Sequence, residues 1–199
     1  MPDVKHFDPD QALDTVVRLF WQRGADVTGI SEVVKATGLN RSSLYATYGG
    51  KRQLYTAALR RYLERQSGPV FERLAADGRG LPAIAAFFTR LIQSRCEGER
   101  ARWGCMVSNA HAGADGGDPQ VRQVLQAHHD RLRAAMRTAL DAAAARGQLR
   151  PGPDLDATAE LLALVAYGVN LRSRAGADAA ELHSTVSAAL NSLSASATF

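Results

Sequence analysis

Residues 33–45, VVKATGLNRSSLY, predict two short helices separated by a tight turn. Thr28 begins the first helix and Gly38 ends it, because glycine readily adopts the left-handed conformation that closes a helix. Asn40 is a favoured N-cap residue and starts the second helix, with Leu44 as its inward side chain. Two short helices joined by a glycine-containing turn form the helix-turn-helix arrangement, which strongly restricts the fold around it.

The rest of the chain also has helical periodicity, and no stretch alternates apolar and polar residues between hairpin turns. A further helix is predicted before the helix-turn-helix segment. Asp8 and Gln11 match a capping box at its start, and Gly24 marks its end. Beyond Gly68–Pro69 the composition shifts to alanine and leucine. There we predict helices over residues 81–97, 103–112, 119–146, 154–175 and 178–195.

We therefore expect an all-α fold with two domains. An N-terminal three-helix, helix-turn-helix domain is predicted at residues 1–50, followed by a connecting helix at 51–66. A C-terminal helical domain is predicted at residues 67–199.

The charge of the chain is concentrated near the predicted turn. No Asp or Glu lies between Glu32 and Glu64, and the window holds six bases. The whole chain carries a net charge of only +4, so the basic character is local. Such a surface favours an anion, and duplex DNA supplies one in its phosphates. The bases of this window are Lys35, Arg41, Lys51, Arg52, Arg60 and Arg61.

In a helix-turn-helix arrangement the second helix enters the major groove of DNA, and its N-terminal turn reaches the base edges. That turn holds Arg41, Ser42 and Ser43. Tyr45 and Tyr48 share a helix face and can donate hydroxyl groups to phosphates. The free amides at the start of the next helix also favour an anion.

The segment LFWQRGADVTGISEVVKATGLNRSSLYATYGGKRQLYTAAL, residues 19–59, resembles the DNA-binding domain of the tetracycline-repressor (TetR) family of bacterial transcriptional regulators. The resemblance covers residues 8 to about 66. RGQLRPGPDLDATAELL, residues 146–162, adds a weaker likeness. The resemblance implies a homodimer that binds palindromic double-stranded DNA and a small-molecule inducer through a C-terminal ligand-binding and dimerisation domain. The predicted DNA-binding residues are Thr28, Asn40, Arg41, Ser42, Ser43, Tyr45, Tyr48 and Lys51.

The last two helices are candidates for the dimer interface. The helix over residues 154–175 carries more apolar residues than one core face requires, and its small residues permit close helix approach. The resemblance likewise implies a four-helix interface between two subunits. The alternative, a helix that packs only within its own chain, stays open. The predicted interface residues are Leu161, Val165, Val169, Leu182, Val186 and Leu190.

Candidate ligand-binding residues are large or polar side chains expected on inward faces of the C-terminal helices. The polar ones are the sharper candidates, because a buried polar group needs a partner. Simple core packing is the alternative for each of them. The set is Phe87, Phe88, Trp103, Cys105, Met106, Asn109, His128, Tyr167 and Asn170.

The segment RWGCMVSNA places Cys105 near a predicted helix start, with Arg100 and Arg102 close in sequence. Helix amides and nearby cations lower the pKa of a thiol and make it reactive. The segment is similar to the glycine-cysteine motif of TetR-type regulators that sense electrophiles or oxidants. Both alternatives, inert packing and a sensing thiol, stay open, and Cys96 is a candidate resolving thiol.

Other classes of protein fit the sequence less well. Two cysteines without a CxxC or Cys-His cluster indicate neither a disulfide framework nor a zinc site, and a reduced cytoplasmic setting fits them. The start, MPDVKHFDPDQ, lacks an apolar signal region, and LLALVAYGVNL is about half a membrane span. We expect a cytoplasmic protein without a cofactor, a bound metal or a membrane segment.

A small helical enzyme and a protein-binding adaptor without DNA recognition are the alternative functions. The plausible catalytic residues are few, and no nucleophile elbow, HExxH, phosphate loop or dinucleotide fingerprint accompanies them. They are His111, His128, His129, Asp130 and the two cysteines. An adaptor that binds only proteins would not need the segment without Asp or Glu between Glu32 and Glu64. The sequence therefore predicts a repressor, not an enzyme, released from DNA by a ligand or by cysteine modification.

Overall fold

A computed structural model of the chain describes residues 8–113 and 118–195. Within these ranges the regular elements are α-helices and one π-helical turn, with a single isolated antiparallel bridge between Leu149 and Ser194. The all-α prediction is confirmed. The helices are α1 Pro9–Arg23, α2 Ile30–Thr37, α3 Arg41–Tyr48, α4 Lys51–Tyr62, α5 Gly68–Ala76, α6 Leu81–Cys96, α7 Met106–Ala112, α8 Pro119–Ala145, α9 Leu155–Arg174 and α10 Ala179–Asn191.

Side-chain caps fix several of the helix starts. Asp8, Asp118 and Asp178 each accept hydrogen bonds from amides of the first turn, as the sequence predicts. The start of α2 differs from the prediction. Its N-cap is Gly29, whose amide donates to the Glu32 carboxylate at 2.9 Å, so the helix begins two residues after Thr28.

The predicted set contains no helix over residues 68–76, yet α4 continues through a π-helical turn, Leu63–Ser67, directly into α5. The Gly68 amide donates to the Leu63 carbonyl, and a Cβ on Gly68 would lie 2.9 Å from that oxygen. Glycine therefore fits the widened turn. Pro69 lies in the first turn of α5, the part of a helix in which proline is tolerated.

Within the described ranges, the buried apolar residues form two clusters. The head cluster joins α1–α4 to α7 and to the start of α8, with Phe20, Tyr62 and Leu125 among its members. The body cluster joins α5, α6, α9 and α10 to the rest of α8. The domain boundary between residues 66 and 67 remains a prediction, because packing of the head cluster continues beyond it.

The loop from residue 97 to residue 105 carries unusual backbone conformations. Arg102 and Gly104 have positive φ angles of 63° and 66°. A Cβ on Gly104 would lie 2.9 Å from Asn109 Oδ1 and 3.1 Å from the Asn170 carbonyl oxygen on α9. The loop therefore turns tightly against α9, and α7 begins at Met106, three residues later than predicted.

Candidate DNA-binding surface and effector cavity

The N-terminal turn of α3 presents polar groups to solvent. The Asn40 side chain accepts a hydrogen bond from the Ser43 amide at 2.7 Å, which confirms the predicted cap. Arg41 and Ser42 are exposed, while Leu44 anchors the helix in the head cluster. Arg41 lies over the Tyr45 ring, 5.2 Å from its centroid, and donates to its hydroxyl at 3.2 Å.

Two predicted phosphate contacts have internal roles instead. Thr28 has no exposed surface, and its hydroxyl donates to the Gly24 carbonyl at 2.6 Å, which closes the turn before α2. The Tyr48 hydroxyl donates to the Pro9 carbonyl and so ties α3 to the start of α1. Burial, reinforced by the Asp10 charge, raises the pKa of Tyr48. The structure corrects both assignments, because neither hydroxyl hydrogen is free for a phosphate.

Acids from outside the basic window pair with two of its bases. Arg61 is only 9% exposed, donates to Asp14 at 2.7 Å and lies 3.4 Å from Asp10, both on α1. The hydrogen bond from Arg61 lowers the pKa of Asp14. Arg52 lies 3.3 Å from Asp118 at the start of α8. The basic surface is therefore smaller than the sequence window predicts.

At the start of α4, Lys51 is half-buried, and Gly50 is the N-cap. The Gly50 amide donates to the Gln53 side chain at 3.1 Å. No side chain caps the amides of the first turn of α4 itself. The start of this helix thus combines a cation with amides that favour an anion.

Four of the six predicted interface residues lie in the core of their own chain. Val169 on α9 and Leu182, Val186 and Leu190 on α10 are all buried in the body cluster. These residues leave no surface for a second subunit, because α10 packs on α6 and α9 and one face of α9 packs in the body cluster.

The outward face of α9 carries a different apolar set. Leu161, Leu164 and Leu171 are 50%, 54% and 42% exposed, and Gly168 is also exposed between them. Val165 is half-buried beside this face. Leu161, Leu164, Gly168 and Leu171 therefore form a stripe along one side of the helix, here called the α9 stripe.

A cavity of about 510 Å³ lies between α4, α5, α6, α8 and α9, next to the loop before α7. This volume is typical of a site for a small molecule. Its inner wall includes Cys105, His128, Phe87, Leu132 and Asn170, all buried, whereas its mouth is lined by exposed arginines. We call it the Cys105 cavity.

Of the predicted ligand-binding residues, Phe87, Cys105, His128 and Asn170 line the Cys105 cavity. Tyr167 does not line it, but its hydroxyl lies 3.3 Å from His128 Nδ1.

The other predicted ligand-binding residues lie elsewhere. Trp103 lines a neighbouring pocket of about 440 Å³ against α1. Met106 and Asn109 line a separate depression of about 220 Å³. Phe88 is fully buried in the body cluster. The assignment of these four residues to one ligand site is therefore corrected: Trp103 lies in the loop before α7, α7 carries Met106 and Asn109 to a separate depression, and Phe88 on α6 packs in the core.

Sequence reasoning missed Arg95, Trp21 and Tyr62, which also line the cavity. Arg95 Nε donates to Asn170 Oδ1 at 2.7 Å, and its Nη2 lies 3.5 Å from the Tyr62 hydroxyl. Arg95 follows the buried Ile92 by three residues, so a cation on an otherwise apolar helix stripe is the signal that could have found it.

The Cys105 thiol is buried, and it shares the cavity wall with polar side chains. Burial raises its pKa, while the hydrogen bond and charge of His128, the charge of Arg95 and a hydrogen bond with Tyr62 lower it. The net result is a pKa of about 6, compared with an ordinary value near 9. A thiol with this pKa is mostly thiolate at neutral pH, which is the nucleophilic form.

Cys96 differs from Cys105 in each of these respects. Both thiols are free, but Cys96 lies at the end of α6 and packs against the body cluster. Burial and the nearby charges of Glu97 and Asp178 raise the pKa of Cys96. Its role as a resolving thiol remains a prediction.

The loop before Cys105 is bonded directly to α1. Trp21 Nε1 donates to the Gly104 carbonyl at 2.9 Å in a buried hydrogen bond. The Trp21 ring also packs edge-on against Tyr62 and Trp103, with centroid distances of 4.9 Å and 5.5 Å. The residue that precedes the thiol is thus in contact with the first helix of the helix-turn-helix region.

In the part of the chain that the structure describes, no helix has the length and apolarity to cross a membrane. Among the same residues, no group of three or more His, Cys, Asp and Glu side chains is placed to hold a metal ion.

A helix-turn-helix region joined to a helical body with a cavity is typical of a DNA-binding regulator. Comparisons with known proteins specify the family. Residues 12–58 match the family model of bacterial regulatory proteins of the tetR family. Residues 80–189 match the tetracyclin repressor-like C-terminal domain. The chain belongs to the tetR family, and this places it among transcriptional regulators that bind DNA rather than among enzymes.

Individual relatives agree with this assignment. The chain is 29% identical to the HTH-type transcriptional repressor ComR of Escherichia coli over 89% of this chain and 85% of ComR. It is 31% identical to the regulator YezE of Bacillus subtilis over 78% of this chain and 79% of YezE. A cysteine mutant of the TetR-family regulator CifR, solved with a 26-base-pair operator duplex, superposes with a TM-score of 0.80 at 25% identity, covering 94% of this chain and 98% of CifR.

Proposed function

We propose that this protein is a homodimeric repressor that binds a palindromic operator and leaves it when Cys105 is covalently modified. The observation that carries the proposal is a buried thiol on the wall of a cavity, one residue from a carbonyl that α1 holds by a hydrogen bond. The low pKa of that thiol supports the proposal. The names of the relatives support the class, because ComR is described as a repressor and CifR as bound to operator DNA.

The DNA contacts proposed from the structure are fewer than those predicted from the sequence. Arg41 and Ser42 are exposed on the first turn of α3 and are the candidates for base contacts. Asn40, Ser43, Tyr45 and Lys51 are candidates for phosphate or supporting contacts.

Dimerisation is proposed through the α9 stripe. Exposed leucines spaced three and seven residues apart, with Gly168 between them, allow a second copy of α9 to approach closely. A two-fold symmetric dimer presents two α3 helices to the two halves of a palindrome.

Release follows from the position of Gly104 between the thiol and α1. An adduct on Cys105 adds volume at the inner wall of the cavity, and the packed surroundings leave the loop as the part that can move. Movement of Gly104 carries its carbonyl oxygen away from Trp21 Nε1 and breaks that hydrogen bond. The position of α1 relative to the loop then changes. The spacing of the two α3 helices then changes, and the modified state binds the operator less well.

The DNA-binding part of the proposal is tested by fluorescence anisotropy on the intergenic DNA beside the gene, across a salt series. We expect Arg41→Ala to reduce the preference for operator over random duplex. Lys51→Ala should weaken binding to both duplexes about equally. It should also reduce the slope of log affinity against log salt concentration by about one. Equal losses on both duplexes for both variants would contradict the division into base and phosphate contacts.

A further inference from the structure

The Cys105 cavity is lined by more cations than anions. Arg73, Arg90, Arg95 and Arg100 all contribute to its wall, and the acidic residues of the wall are Glu97 and Glu99. Glu99 also lies 4.0 Å from Arg18, outside the cavity. A net positive, partly enclosed cavity attracts anions more strongly than an open surface does, because field lines concentrate where water is excluded.

Arg95 is held in a defined position. Its Nε is bonded to Asn170 Oδ1 at 2.7 Å, and its guanidinium lies 5.6 Å from the centroid of the Trp21 ring. The side chain therefore has little rotational freedom left to lose on binding an anion. Cys105 lines the same cavity, so an anion bound to Arg95 lies in the cavity that holds the nucleophile.

Part of the wall is apolar. Phe71, Phe87, Leu91 and Leu132 line the cavity together with the arginines, the thiol and several polar side chains. An occupant that fits the whole cavity thus has three parts: an anionic group for Arg95, a short apolar body and an electrophilic carbon for Cys105.

We propose that the Cys105 cavity selects small anionic electrophiles, in which a carboxylate is joined by a short spacer to a carbon–carbon double bond conjugated with a carbonyl group. The proposal rests on the proposed function and names the class of molecule that it senses. The assignment comes from the placement of Arg95, the apolar wall and the thiol around one cavity.

The reaction is an addition without a leaving group or an oxidant. The Cys105 sulfur forms a bond to the β-carbon, and the electron pair of the double bond moves to the carbonyl oxygen to give an enolate. The thiol proton leaves before the addition, and His128, which lines the same cavity, is the side chain placed to accept it. His128 returns that proton to the α-carbon, so the product is a thioether and neutral His128.

Two maleimides test the selection, because they share the reactive ring and differ in charge. We would measure the second-order rates of modification of Cys105 by 3-maleimidopropionate and by N-ethylmaleimide, in a Cys96→Ser background. Each rate is divided by that of the same reagent with 2-mercaptoethanol, a thiol without other charged groups, which removes intrinsic reactivity. The ratio of the two normalised rates isolates anion recognition, because any change in the thiolate fraction cancels.

We expect a ratio of at least about tenfold in favour of the anionic reagent, the low end for a charge-assisted hydrogen bond. The ratio should fall towards one in Arg95→Gln and at high salt, and stay high in Arg95→Lys. Arg133→Gln, an exposed arginine of α8 outside the cavity, is the matched control and should keep the full ratio. Circular dichroism checks that each variant is folded.

The outcomes separate this inference from the function it rests on. A ratio near one, with rapid modification of Cys105 and loss of operator binding, overturns anion selection and leaves the sensing role intact. A high ratio that persists in Arg95→Gln assigns the selection to other residues and overturns the role of Arg95. Failure of both reagents to modify Cys105 contradicts the sensing thiol and the inference together.

Discussion

Replacement of Trp21 by phenylalanine removes the hydrogen bond that joins α1 to the loop before Cys105. Trp21 is 4% exposed, and its bond to the Gly104 carbonyl is buried, so the carbonyl loses its partner without gaining water. An unsatisfied buried acceptor costs about 1–3 kcal/mol. We therefore expect Trp21→Phe to lower the free energy of unfolding by roughly 2 kcal/mol, measured by urea denaturation.

The same bond limits how strongly the thiol can influence DNA binding. A modification can shift an equilibrium only by the difference in free energy it makes between two states. If the Trp21 bond is the interaction that is lost on modification, it accounts for a factor of about 5–150 in operator affinity. In Trp21→Phe the bond is already absent, so modification of Cys105 should change operator affinity by only a small factor.

The assay is operator binding by fluorescence anisotropy before and after treatment with N-ethylmaleimide, for wild type and Trp21→Phe. Trp103→Phe is the matched control, because it is an equivalent ring change in the same aromatic cluster that leaves the Trp21 bond in place. The reasoning is refuted if Trp21→Phe loses operator affinity on modification by the same factor as wild type. The reasoning is also refuted if Trp103→Phe removes the effect of Cys105 modification on operator affinity as fully as Trp21→Phe does.

Three further predictions test other parts of the structure. The rate of Cys105 modification should be flat above about pH 7 and fall about tenfold per unit below pH 6, because only the thiolate reacts; a rate that still rises between pH 8 and pH 9 would contradict the low pKa. Gly104→Ala should lower the free energy of unfolding by about 1–3 kcal/mol in urea denaturation, because its φ of 66° suits glycine; an unchanged midpoint would contradict this. Leu164→Glu should give a folded monomer in sedimentation, because that exposed side chain is proposed to meet a second copy; a dimer of unchanged stability would place the interface elsewhere.

Much of the local structure could be predicted from the sequence, because caps and turns depend on residues close together in the chain. Asp8, Asn40, Asp118 and Asp178 cap helices where their spacing indicates. The helix over residues 68–76 was missed because a Gly-Pro pair usually ends a helix, whereas here a π-helical turn accommodates it.

The cavity could be predicted only in part, because its wall comes from distant segments. Cys105 and His128 were identifiable as reactive or inward polar side chains. The position of Arg95 beside them depends on the packing of α6 against α9, which no local pattern specifies. The same limit explains Val169, since an apolar residue on a helix with apolar residues on both faces can pack in its own core or face a partner.

The most direct test of the central claim measures modification and operator release on the same sample. Aliquots taken during treatment with N-ethylmaleimide would be divided between intact-protein mass spectrometry with peptide mapping and fluorescence anisotropy with operator DNA. We predict that the fraction of operator released follows the fraction of Cys105 modified, and that Cys105→Ser remains bound throughout while Cys96→Ser behaves as wild type. Full modification of Cys105 with operator binding unchanged would contradict the claim.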